Sequence, residues 1–170
     1  MNILLLIDIQ KGFPASYDIL PYIEKLDFNK YDRVIATQFI NDEDTLFYKN
    51  GYKKMMEEPE INLFDIVKNN CTDIIKKDTY SIPLNKLYNI VNKKDISSID
   101  IIGVETDGCI LATMFSLWDE KIPFKLLKAR TTGKYGVHDA AKLIIRRNLW
   151  LELEDETKIF NKVKKVISNA

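Results

Sequence analysis

Residues Ile3 to Ile9 read Ile-Leu-Leu-Leu-Ile-Asp-Ile, an apolar run interrupted only by Asp8. A strand sends successive side chains to opposite faces, so a run that is apolar at nearly every position must be buried on both. Such a segment fits a central strand of a parallel sheet covered by helices on both sides. Four later stretches have strand character: Arg33 to Phe39, Thr72 to Tyr80 with its strand ending near Lys77, Ile99 to Val104, and Pro123 to Ala129.

Between them the spacing turns helical. Helices are expected over Tyr17 to Leu26, over Thr45 to Glu58, in a short piece within Ile61 to Asn70, and over Leu84 to Val91 behind Pro83. Further helices are expected from Cys109 onward, over His138 to Leu149, and over Glu154 to Ser168 with Ile159, Phe160, Val163 and Ile167 as an apolar stripe. Alternation of strand and helix implies an α/β fold: a doubly wound parallel sheet in a Rossmann-like three-layer α/β/α arrangement. A length of 170 residues without repeats or linkers makes this one domain, residues 1–170.

The segment from Ser98 to Trp118 carries the first hint of chemistry. The strand Ile99 to Val104 runs into a turn, and Ile110, Met114, Leu117 and Trp118 then fall at helical spacing. Thr106 or Asp107 can cap that helix. Cys109 then lies in its first turn, where free N–H groups and the positive dipole end favour thiolate. The competing reading is a small core residue.

Composition narrows the setting. Lys plus Arg total 25 and Asp plus Glu total 25, so no net charge draws the chain to nucleic acid or an anionic membrane. No apolar run approaches the ~18 residues of a membrane span. Cys71 and Cys109 do not make a disulfide framework, which fits a reducing cytoplasm. No Gly-x-Gly-x-x-Gly follows the first strand, which disfavours a dinucleotide-binding protein.

In a doubly wound sheet, functional groups gather beyond the carboxyl ends of the strands. Asp8 ends the first strand, Lys77 the third, and Cys109 follows the fourth. A thiolate can attack a carbonyl carbon, Asp8 can accept the thiol proton and return it to a leaving amine, and Lys77 can favour the thiolate and orient Asp8. The N–H of Cys109, with a second from the preceding turn, can hold the oxyanion. Phe13, Phe39 and Tyr80 follow the first three strands and can enclose a small planar or apolar group, or else plug the sheet edge. Asp8 and Lys77 also admit ordinary structural roles.

Three motifs deepen this reading. Leu6-Ile-Asp-Ile-Gln-Lys-Gly-Phe13, Lys77-Asp-Thr-Tyr-Ser81 and Gly103-Val-Glu-Thr-Asp-Gly-Cys-Ile110 occur in this order. Together they resemble the isochorismatase-like superfamily of cysteine hydrolases, which includes nicotinamidases and related amidases, up to about Arg147. The resemblance implies an Asp8–Lys77–Cys109 triad and a cis peptide between Val104 and Glu105. It also implies an oxyanion hole from the N–H groups of Glu105 and Cys109. Small amide substrates and homo-oligomers are usual for that family.

The chain departs from the pattern in places. The Asp-x-His…His set of metal-binding nicotinamidases is absent, and Asn41-Asp-Glu-Asp44 reads as a solvated turn, so neither a catalytic metal nor another cofactor is expected. Glu105 stands where the family has a small residue, Arg130 follows the fifth strand, and Ile82-Pro83 follows Ser81. These changes bear on the substrate more than on the reaction. The expected function is a cysteine hydrolase cleaving a C–N bond of a small amide through a thioester. A redox- or electrophile-responsive binding protein on the same fold and an isochorismatase-type hydrolase are the alternatives.

Overall fold

The computed structural model describes residues 1–132 and 136–151. The helix expected over Glu154 to Ser168 lies outside the described residues. Five strands form one sheet: β1 (Asn2–Ile7), β2 (Arg33–Phe39), β3 (Asp73–Lys77), β4 (Ser98–Val104) and β5 (Phe124–Arg130). All four pairings are parallel and the spatial order is β3-β2-β1-β4-β5. The helices are α1 (Ala15–Ile23), α2 (Leu46–Lys49), α3 (Asp65–Asn70), α4 (Leu84–Ile90), α5 (Leu111–Asp119) and α6 (Val137–Leu149).

The first strand supplies both cores. Ile3, Leu5 and Ile7 pack with Leu87 of α4, Met114 and Leu117 of α5 and Ile145 of α6. Leu4 and Leu6 pack with Ile19 and Ile23 of α1 and Val67 of α3. Period-two alternation of an all-apolar strand thus produces the three-layer architecture expected from the sequence.

From β1 the chain winds one way through β2 and β3, then returns to the other side of β1 to lay down β4 and β5. The direction of winding reverses between β1 and β4. The carboxyl ends of strands at such a reversal leave a crevice between the loops, where doubly wound sheets bind ligands.

One glycine permits this junction. Gly103 pairs with Ile7, and a Cβ on Gly103 would stand 2.3 Å from the Ile7 carbonyl oxygen. A side chain there would push β1 and β4 apart directly beneath Asp8.

The long helix expected over Thr45 to Glu58 is the main departure. Only α2 is helical there, capped by Thr45, whose Oγ1 accepts from the Tyr48 N–H at 3.1 Å. Gly51 takes a left-handed φ of +98° and ends it. The following residues are held by side chains instead. The Asn41 amide donates to the Tyr52 and Lys54 carbonyls, and Glu60 accepts from the Met55 N–H. Such contacts compete with helical hydrogen bonds.

Gly103→Ala is expected to lower stability by about 2–3 kcal/mol or more, through forced separation of β1 and β4. Urea denaturation would measure it, and a loss below about 0.5 kcal/mol would show that the sheet yields at this point without cost.

Candidate active site

Asp8 is the residue at which β1 stops. Its φ is +52°, a left-handed conformation that aspartate tolerates better than most residues and that tends to occur where function holds it. Thr37 on β2 secures it twice: the Asp8 N–H donates to Thr37 Oγ1 at 3.0 Å, and that hydroxyl donates to Asp8 Oδ1 at 2.6 Å. Gln10 fixes the next turn by donating to the Phe39 and Ile61 carbonyls and accepting from the Phe39 N–H. In the Asp-x-Gln pair of the first motif, Asp8 is thus held at the strand end and Gln10 braces the turn after it.

Asp8 Oδ2 lies 2.7 Å from Lys77 Nζ, and neither side chain is exposed. Lys77, the last residue of β3, also donates to the carbonyls of Thr79 at 2.8 Å and Tyr80 at 3.2 Å, and its Nζ is 3.4 Å from Cys109 Sγ. Burial disfavours the ammonium, but Asp8 and Cys109 outweigh it and hold its pKa above the ordinary lysine value. Lys77 is thus a buried, fully charged ammonium between a carboxylate and a sulfur.

The strand-to-helix turn differs from the expected capped α-helix. Residues Thr106–Ile110 form a single wide π-turn before α5. Both Gly108 and Ile110 donate their N–H groups to the Glu105 carbonyl, at 3.0 and 3.1 Å. Neither Thr106 nor Asp107 caps it: the Thr106 hydroxyl faces His138, and the Asp107 carboxylate lies beside the Thr131 hydroxyl. Single π-turns of this kind recur at functional sites.

The peptide between Val104 and Glu105 is a second departure. Among the described residues the one cis bond is Glu58–Pro59, so Val104–Glu105 is trans. A trans bond avoids the roughly 3 kcal/mol cost of a non-proline cis peptide.

The acidity of Cys109 is a third. The helix start was expected to favour thiolate, yet the thiol is 6% exposed and its pKa stands well above the usual value. Burial is the largest cause and the Asp8 carboxylate the next; Lys77 pulls the other way and does not prevail. Burial and the nearby carboxylate therefore favour a neutral thiol at Cys109, whose sulfur faces Lys77 Nζ at 3.4 Å.

Cys109 and Glu105 border a cavity of about 490 Å³, walled in part by Phe13, Phe39, Phe47, Tyr52 and Tyr80. Phe13 and Phe39 are largely buried, at 8% and 2% exposed, so they serve core and cavity together, whereas Tyr80 at 55% forms the rim. Phe39, Phe47 and Tyr80 stack edge to face, with ring centroids 5.0 and 4.7 Å apart. Tyr52 is pushed up to about 12 by burial and by Glu105, so it stays a neutral hydroxyl at the cavity.

Glu105 is held by its neighbours. Its carboxylate accepts from the Thr131 hydroxyl and from the N–H and hydroxyl of Thr132. It fastens the loop after β5 to the cysteine turn. Arg130 does not border this cavity; its guanidinium is turned toward His138. Sequence reasoning missed Thr37, Phe47, Tyr52 and the Thr131–Thr132 pair. Only Thr37, a hydroxyl within an apolar strand, left a visible signal.

No protein-family model matches the chain, and no curated protein matches it. Solved structures do match its fold. A nicotinamidase from Staphylococcus aureus matches over 91% of this chain and 98% of that one, with a TM-score of 0.65 and 22% identity. N-carbamoylsarcosine amidase from Thermoplasma acidophilum matches over 90% and 98%, with a TM-score of 0.69 and 15% identity. An isochorismatase-like hydrolase from Alkaliphilus metalliredigens matches over 85% and 90%, with a TM-score of 0.67 and 13% identity. The molecule has the fold of the isochorismatase-like hydrolases over nearly all of its described length.

Thiolate absorbance, taken as wild type minus Cys109→Ser, is expected to stay flat up to about pH 8.5 and to rise only above it. Asp8→Asn should move that rise to lower pH by removing a neighbouring anion, and Lys77→Met should move it higher. A thiolate signal at neutral pH in the wild type would contradict this electrostatic description.

Proposed function

We propose that this protein is a cysteine amidohydrolase acting on a small amide, with Cys109 as nucleophile, Asp8 as proton acceptor and donor, and Lys77 as the fixed cation between them. The observation that supports it is the convergence of Asp8 Oδ2, Lys77 Nζ and Cys109 Sγ, at 2.7 and 3.4 Å from the lysine, beside an aromatic-walled cavity. The amidases that share this fold support the same reaction class.

The proton inventory of the site dictates the steps. At rest the thiol holds the proton, Asp8 is a carboxylate and Lys77 an ammonium. When an amide carbonyl reaches Cys109, Asp8 takes the thiol proton as sulfur attacks the carbon. Lys77 offsets the charge left on sulfur. The N–H of Cys109 is the oxyanion donor in this reading; the Glu105 N–H, expected as the second donor alongside a cis peptide, is not carried over to the trans peptide found here. Asp8 then gives its proton to the amine as the C–N bond breaks, leaving a thioester on Cys109. Water loses a proton to Asp8 as it attacks the thioester, and the acid product leaves as the thiol is restored.

Phe13, Phe39 and Tyr80, joined by Phe47 and Tyr52, would receive a small planar or apolar acyl group. The chemistry requires no metal or other cofactor. Homo-oligomerisation belongs to the same reading, and the exposed stack of Trp118 on Trp150, with centroids 5.5 Å apart, is a surface it could use. The neutral, buried thiol weighs against an electrophile-responsive role, which needs an accessible thiolate. Among the described residues no helix is long and apolar enough to cross a membrane.

A panel of small aromatic and aliphatic primary amides should show ammonia release with at least one member. Intact-protein mass should show an acyl adduct on the wild type and none on Cys109→Ala. Cys109→Ala should lower turnover by at least about 10³-fold. Wild-type turnover by that variant, or a panel with neither hydrolysis nor adduct, would contradict the proposal.

A further inference from the structure

Behind the cysteine turn lies a polar contact that the proposed reaction does not consume. Thr106 opens the turn and is fully buried. Its Oγ1 is 2.8 Å from Nδ1 of His138. His138 is the only histidine in the chain and stands in the first turn of α6. Its other ring nitrogen, Nε2, is 3.4 Å from Nη1 of Arg130, the last residue of β5.

This pairing fixes the tautomer. A guanidinium donates and never accepts. The Nε2 facing it must present a lone pair, which places the ring proton on Nδ1, directed at Thr106 Oγ1. Protonation would leave that Nδ1–H in place but set a second N–H and a positive charge against Arg130. The ring would then be driven from its slot between β5 and the cysteine turn.

We propose that His138, as the neutral Nδ1–H tautomer, is a positioning residue for Cys109: it anchors Thr106, thereby fixes the turn that carries the thiol, and loosens that turn when it takes up a proton. The inference rests on Cys109 being the reacting group. The charged groups around the ring are Arg130 of β5, Asp107 of the cysteine turn, and Lys142 and Asp139 of α6 itself. Burial, then the Arg130 and Lys142 cations, hold the imidazole below its ordinary value, while Asp139 and Asp107 oppose them. The unfolded chain therefore binds this proton more tightly than the folded one. The stabilising contribution is complete above the ordinary histidine pKa of about 6.5 and declines as pH falls from there toward the folded value.

A lone histidine gives an unambiguous imidazole signal. Nitrogen NMR of the whole protein at neutral pH should show the neutral Nδ1–H tautomer, with a titration midpoint below about 6.5. Thr106→Val should shift that signal. His138→Asn sets an amide where Nδ1 stands, keeping a partner for Thr106 without a titrating ring. Relative to wild type, its turnover should be near unity at about pH 7.5 and severalfold higher at about pH 5.5. The same ratio should govern iodoacetamide labelling of Cys109, which needs no substrate. His138→Ala should lower kcat by about tenfold or more with little change in KM. An Nε2–H tautomer, or identical acid limbs for wild type and His138→Asn in labelling, would overturn the proposal. Failure of the amidase reading alone would leave the tautomer and labelling results to decide this one.

Discussion

The buried pairing of Asp8 with Lys77 is the contact on which the site depends. Two opposite charges with no solvent exposure, 2.7 Å apart, carry a large desolvation cost that only close geometry and further hydrogen bonds offset. Those bonds are present: Thr37 serves the carboxylate, and the Thr79 and Tyr80 carbonyls serve the ammonium. Hydrophobic residues of similar volume would make a simpler core. The pair instead sets the state of Cys109. The carboxylate helps burial keep the thiol neutral, while the ammonium pulls toward the thiolate.

Topology makes the pairing available. Asp8, Lys77 and Cys109 belong to β1, β3 and the turn after β4, far apart in sequence but all at the carboxyl edge of one parallel sheet. The reversal of winding between β1 and β4 opens a crevice there. Gly103 lets those two strands approach closely enough for Asp8 and Cys109 to share a neighbour. The loop after β5 closes the arrangement through Glu105 and Thr131–Thr132, and α6 reaches the same turn through His138. Glu105 thus mainly fastens this loop to the cysteine turn, although it still borders the cavity.

The strands were legible because a run such as Leu4-Leu5-Leu6-Ile7 has one comfortable home, a sheet covered on both faces. The convergence of Asp8, Lys77 and Cys109 was legible because strand ends in this architecture point to one rim. The segment after Thr45 was not, since Gly51 and the side-chain bonds of Asn41 and Glu60 override an apolar spacing that looks helical. The acidity of Cys109 was misjudged for a related reason. A helix start is visible in sequence, but the depth of burial and the sign of the nearest charge are properties of the assembled fold. Phe47, on the short α2, and Tyr52, just past Gly51, reach the cavity from that same segment, which hid them.

A double-mutant cycle on the ion pair tests this account most directly. Asp8→Asn and Lys77→Met should each lower stability by about 3–5 kcal/mol, since each strands a buried charge or its partner. The double variant should lose less than the sum, with a coupling of about 1–3 kcal/mol by urea denaturation. Single losses below about 1 kcal/mol that add without coupling would show that the two side chains do not meet in the folded protein, and the account would fail with them.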